Sequence, residues 1–218
     1  GYGIFISLLF ISLFIEISFS FNYKLFLSLV SFIMIVSGLL SSTLHLGHPE
    51  RAWRAFSQWK TSWLSREGLA ALLTFIPMIF FYIFWIYNIQ GHLFFLLITI
   101  FFSIITIYCT GQMYASLKTV PAWNNILVTP IYIFNGISVG AIFVYSLNFY
   151  FEYNLKLYES FIYVILTLNF ILKLIYWFTV NKKIKTNSQT AIGLKSNNIN
   201  FFEGPHTGKN YLTTEMIN

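Results

Sequence analysis

Charge is what this chain has least of. Only 9% of its 218 residues are charged, where a soluble domain carries roughly a quarter. That shortage excludes a globular surface wetted on all sides. Cysteine is almost absent as well. Cys109 stands alone inside an apolar run, which excludes an intrachain disulfide and the cysteine sets that hold iron–sulfur clusters. It reads as a small buried apolar residue. The polar–apolar alternation of a membrane β-barrel is missing. So are internal repeats and coiled-coil heptads. No paired interrupted segments mark two matched halves, which counts against a transporter of that design.

What the chain has instead is apolar mass: 57% hydrophobic residues, 25 Phe, 14 Tyr and a mean hydropathy of +0.69. Backbone in lipid must satisfy its own hydrogen bonds, which favours helices. Runs of about 20 apolar residues predict six spans, at about 3–20, 25–44, 68–90, 92–114, 126–151 and 158–180. The expected fold class is therefore all-α, a polytopic membrane helix bundle over residues 1–180, followed by a polar segment, 181–218. The start at Gly1 rather than Met and the polar close at Asn218 lead us to expect a piece of a longer protein, with C-terminal helices beyond it.

Two spans carry charges that ask for a reason. Glu16 interrupts the first, and an acid at that depth is a functional suspect by default, although packing at a helix end also explains it. Lys173 lies within the sixth, where snorkelling or an interhelical partner accounts for it better than catalysis. The connections alternate. Those near Phe21–Lys24, Asn88–Gly91 and Glu152–Leu157 are short, and those after spans two and four are longer and more polar. One face of the bundle thus gathers Arg51, Arg54, Lys60, Arg66, Lys118 and the tail lysines, and the other has Lys24 and Lys156. The formal charge of +6 reports topology here and not nucleic-acid binding. The positive-inside rule would put the rich face in the cytoplasm, unless those charges serve an interface with another protein.

The chemistry is concentrated between spans two and three, in LHLGHPERAWRAFSQWKTSWLSREG from Leu44 to Gly68. This stretch holds two of the four His and three of the six Trp. His45 falls at the end of span two, where the helix dipole favours an imidazolium and where its near-neutral pKa suits proton exchange. An interfacial cap is the plainer reading. Gly47 and Pro49 stop the helix. Arg51 and Arg54, three apart, share a face of any short helix. Trp53, Trp59 and Trp63 are of the type that lies at headgroup level. An amphipathic surface helix satisfies all five; the two Arg would then touch lipid phosphate or orient a partner. Ser65 reads as the N-cap of span three, and Glu67 as an acid in its first turn. Capping alone could explain Glu67. Yet His45 and Glu67 close and open consecutive spans, at one expected depth. A His and a carboxylate at the rim of an apolar bundle suit deprotonation of a lipid-soluble hydroquinone. The loop after span four adds Tyr114 and Trp123, which could line a ring-shaped pocket or merely anchor the interface. A bis-His haem is disfavoured, because no two His fall on different spans at one depth.

These residues also carry a resemblance. LHLGHPERAWRAF, SWLSREG, TVPAWNN and the tail motif GPHTGKNYLTTEM together resemble the membrane anchor subunit of dimethyl sulfoxide reductases, over most of the chain. The resemblance implies an eight-helix anchor in a bacterial inner membrane, without haem, metal or iron–sulfur cluster of its own. It implies an iron–sulfur subunit and a molybdopterin catalytic subunit as partners, and menaquinol or a related quinol as the electron source. By position, His45 and Glu67 match the family's quinol-site His and Glu, and Arg51 matches an Arg of the same motif. Tyr114 and Trp123 complete the candidate quinol site. A noncatalytic scaffold gripping a soluble partner is the alternative, and a small transporter a weaker one, since mid-membrane polar residues are scarce.

Overall fold

The computed structural model describes residues 1–15, 17–44, 53, 56–118, 120, 122–153 and 155–183, the last three by backbone only. The described residues form six α-helices and no strands: α1 Gly3–Phe14, α2 Phe21–Leu44, α3 Trp63–Ile86, α4 His92–Ala115, α5 Val128–Tyr150 and α6 Lys156–Lys183. Five of them, α2 to α6, are long and apolar enough to cross a membrane. The protein is a multi-pass membrane helix bundle.

The expected first span is the exception. α1 has 12 residues, so it is about 18 Å long, well short of the roughly 30 Å hydrocarbon layer. It ends at Phe14, and residues 15 and 17–20 are not helical. α2 starts earlier than its apolar run suggested, at Phe21. The expected connection Phe21–Lys24 is therefore its first turn.

α1 compensates for its length by being enclosed. Ile4, Phe5, Leu8 and Ile11 are buried against Phe81, Tyr82 and Trp85 of α3 and Val144 and Leu147 of α5. Its approach to α5 is backbone to backbone. A Cβ on Gly3 would collide with the Gly136 carbonyl, and one on Gly140 would collide with the Gly3 carbonyl carbon. Gly136 and Gly140, four apart, thus form the small-residue seam that lets membrane helices come close without a hydrophobic driving force.

Polar side chains stitch the bundle from inside. The Tyr23 hydroxyl donates to Asn148 Oδ1 at 2.6 Å, the Ser31 and Tyr82 hydroxyls lie 2.6 Å apart, and the Tyr158 hydroxyl donates to the Ala141 carbonyl at 3.0 Å. Lys24, read above as a surface charge, is buried. Its ammonium donates to the Trp85 carbonyl at 3.1 Å and to Asn88 Oδ1. It thereby satisfies the C-terminal end of α3, whose last carbonyls lack helical partners. Asn88 can stand there because its φ of 54° is a conformation Asn tolerates better than most residues.

α3 and α4 form an antiparallel hairpin. α5 packs on α4 and α1, and α6 packs on α5. The starts of α3 and α5 and the ends of α4 and α6 consequently share one end of the bundle. That end carries the candidate site.

Candidate functional site at one end of the bundle

α3 does not begin where its sequence suggested. Its N-cap is Ser62, whose side chain accepts a hydrogen bond from the Ser65 amide at 3.4 Å. Ser65 is buried inside the helix. Glu67 is then the fifth helical residue, about 6 Å in from the start, and no acid occupies the first turn. Capping therefore does not explain Glu67. Its carboxylate is half-buried and turns across to α4, where the Thr110 hydroxyl donates to Oε1 at 2.9 Å.

The same Thr110 oxygen lies 3.0 Å from the Thr106 carbonyl. A hydroxyl has one proton to give and can also accept. With Glu67 ionised, Thr110 donates to the carboxylate. With Glu67 protonated, the carboxyl can donate to Thr110, which turns its own proton back to Thr106. Both states are satisfied without moving a heavy atom, as a buried polar group requires.

Thr110 also lines a cavity of about 600 Å³ between the start of α1, α4 and α5. Tyr2, Met34, Ile107, Tyr132, Asn135, Val139 and Phe143 are among its other walls. Its size and its mix of apolar walls with a few polar groups are those of a small-molecule site. The Tyr2 hydroxyl is buried and makes no hydrogen bond among the described residues.

The second expected constellation also assembles. The Tyr114 and Trp123 rings meet edge-on at 5.3 Å, and Tyr114 stacks on Tyr132 at 5.4 Å. With Val128, Asn135, Lys173 and Tyr176 they line a chamber of about 340 Å³. Three described residues of the loop before α5, Ala122, Asn124 and Asn125, hydrogen-bond to two helices. Asn124 Nδ2 donates to the Ala115 carbonyl at 2.8 Å, Asn125 Nδ2 donates to Thr179 Oγ1 at 3.0 Å, and the Tyr176 hydroxyl donates to the Ala122 carbonyl at 3.0 Å. Tyr132 and Asn135 belong to both spaces, so one face of α5 separates and joins them.

Arg66 has a structural task. Its Nε donates to the Trp59 carbonyl at 2.8 Å and its Nη2 to the Lys60 carbonyl at 2.6 Å, and its guanidinium lies 4.3 Å from the Trp63 ring centre. It fixes the incoming loop to the start of α3. Trp53, Phe56 and Trp59 stand exposed on that loop, at the level expected of a membrane interface.

Of the sequence-derived site residues, the structure places Glu67, Tyr114 and Trp123 at the same end of the bundle and joins Tyr114 to Trp123 directly. His45 and Arg51 lie outside the described residues, as do Glu16 and the tail motif. Thr110, Tyr132, Asn135 and Tyr2 were missed. Each is an ordinary polar residue in an apolar run, and no spacing in the sequence marks it. Among the described residues no three of His, Cys, Asp and Glu come together to hold a metal ion.

Comparison with known proteins adds the family. The sequence matches the DMSO reductase anchor subunit (DmsC) family over residues 1–202. It is similar to a sulfite dehydrogenase subunit of Allochromatium vinosum, with 29% identity over 205 residues, 87% of this chain and 63% of that protein. The chain thus spans 63% of the length of that curated relative. No solved structure matches it.

Proposed function

The chain belongs to the DMSO reductase anchor subunit family, and from that premise we propose that it is the quinol-oxidising anchor of a molybdopterin oxidoreductase complex in a bacterial inner membrane. The quinol is menaquinol or a relative. The partners are an iron–sulfur subunit, which takes the electrons, and a molybdopterin catalytic subunit. The final acceptor belongs to that catalytic subunit. The name of the similar protein, a sulfite dehydrogenase subunit, fits an anchor type that serves more than one chemistry.

The observation that carries this reading is the Glu67–Thr110 pair. A half-buried carboxyl at an apolar helix end is costly unless it is partnered, and this one is held where either protonation state is satisfied. Such a group suits a proton acceptor for a hydroquinone. In this reading His45 hydrogen-bonds the ring oxygen and relays protons, Arg51 orients the head group, and Tyr114 and Trp123 form the aromatic wall nearby. Electrons leave through the iron–sulfur partner.

Glu67→Gln tests it in the full-length chain assembled with its partners. Quinol-dependent turnover should fall by about a hundredfold or more, the range for loss of a general base. Electron delivery from an artificial donor directly to the catalytic subunit should be unchanged. Unaltered quinol turnover would end the proton-acceptor role.

The exposed Trp53, Phe56 and Trp59 support a second reading, a noncatalytic scaffold. There, changes at Glu67 would release the partner subunits and leave quinol-analogue affinity intact.

A further inference from the structure

We propose that Thr110 touches the quinol hydroxyl on the Glu67 side, and that it passes that hydroxyl's proton on to Glu67. The inference rests on the quinol reading above and deepens it. Glu67 is not among the residues that line the 600 Å³ cavity; Thr110 is. Thr110 lines the cavity, and its hydroxyl is bonded to the carboxylate at 2.9 Å. A ring seated there meets Thr110 before it meets Glu67.

The seat has the features an isoprenoid quinol needs. Near Thr110 it is polar, with Asn135 on the wall. The Asn135 carbonyl oxygen is already used by Asn169 Nδ2, at 2.8 Å, which leaves its amide N–H groups as donors. One to two turns deeper along α5 the walls become Val139 and Phe143, with Met34 and Ile107 opposite. A polar end at the depth of Glu67 and an apolar end deeper in the bundle fit a ring with a tail.

The step balances within the residues present and one acceptor. The quinol O–H bond breaks and its proton joins Thr110 Oγ1. The proton already on Thr110 moves to Glu67 Oε1. The electron released leaves for a one-electron acceptor of the iron–sulfur class in the partner subunit. Thr110 ends as it began, a neutral hydroxyl, and Glu67 ends protonated, donating back to Thr110 while Thr110 donates to the Thr106 carbonyl. Only a side chain with a hydroxyl at this place can do the same. Valine has no hydroxyl, and serine has one in the same place.

The test compares Thr110→Val, Thr110→Ser and Glu67→Gln in the full-length chain purified with its partners, using a short-tailed menaquinol analogue as donor. Co-purification of the partner subunits checks assembly, and Thr110→Ala replaces the valine variant if that variant does not assemble. For Thr110→Val, kcat should fall about tenfold to a hundredfold, toward the range for loss of proton-transfer catalysis, and more than KM rises. Thr110→Ser should recover to within about twofold of the parent chain, with the parent's solvent deuterium isotope effect, because the same hydroxyl relay is in place. A merely structural Thr110 would instead be rescued by the isosteric valine. Full kcat in Thr110→Val beside a dead Glu67→Gln would overturn the relay and leave the Glu67 reading standing. Full activity in Glu67→Gln would remove the quinol reading itself.

Discussion

Arg66 is the residue on which the loop before α3 depends. Two backbone carbonyls, those of Trp59 and Lys60, both accept from its guanidinium, while its flat face rests on Trp63. A lysine keeps the charge but not the planar fork or the stacking. Both bonds are solvent-accessible, so the loss is modest, about 1 kcal/mol in local stability. Arg66→Lys should therefore leave the helices intact and loosen the turn at 58–62, where the Thr61 and Ser62 amides donate to the Gln58 carbonyl. Hydrogen exchange at those two amides should quicken roughly fivefold, the factor that 1 kcal/mol implies. Unchanged exchange would mean that the turn holds itself. The residue scale is also where the sequence was least transparent. Glu67 stood out because it is one of few acids, but its neighbour Ser65 imitated a cap. Ser62, three residues earlier, was the true one, and it moves Glu67 out of the first turn. Thr110 gave no sign at all. A threonine that bonds its own helix at i−4 is common in membrane spans, and only the α3–α4 pairing reveals that this one faces a carboxylate.

At the scale of elements, the short helix is the informative one. α1 cannot cross a hydrocarbon layer, yet it is among the most enclosed parts of the bundle, and its first residues wall the cavity beside Thr110. Its position is set by glycine at three places, Gly3 against Gly136 and Gly140. Gly140→Ala puts a methyl where the Gly3 backbone lies. Backbone cannot yield as a side-chain tip can, so α1 must shift along or away from α5. Overpacking of this kind costs about 1–3 kcal/mol. The variant should unfold at a lower temperature in detergent, and should also bind a quinol-site inhibitor less tightly, because the cavity wall moves with the helix. Reduced stability with unchanged inhibitor binding would separate α1 from the site. Five of the six helices were legible from apolar run length, since that length is fixed by the bilayer. α1 was not, because an enclosed apolar helix and a lipid-facing one have the same composition. The seam was readable in principle, as two glycines four apart on α5, a spacing with a known packing meaning in membranes.

For the whole molecule the open matter is which way it faces. The charge asymmetry is sharper in the structure than in the sequence. Lys24 is buried and bonded at the end of α3, which leaves Lys156 as the exposed lysine of the face opposite the site. On the site's own face Lys60 and Lys118 are exposed. Buried charges that satisfy backbone do not report topology, whereas exposed ones near helix ends do. The positive-inside rule therefore predicts the Glu67 end on the cytoplasmic side. The chain offers a clean test because Cys109 is its single cysteine and is buried. In a Cys109→Ala background, Lys118→Cys and Glu152→Cys put one thiol before α5 and one after it, both at exposed positions. An impermeant maleimide added to intact cells stripped of their outer barrier should label Glu152→Cys and spare Lys118→Cys until the membrane is opened. The reverse pattern would place Glu67 and its cavity on the outer side. It would mean that the basic face is held there by a docked partner against the charge rule. Labelling of both from one side would contradict α5 as a span, and with it the arrangement that brings Thr110, Tyr132 and Glu67 to one depth.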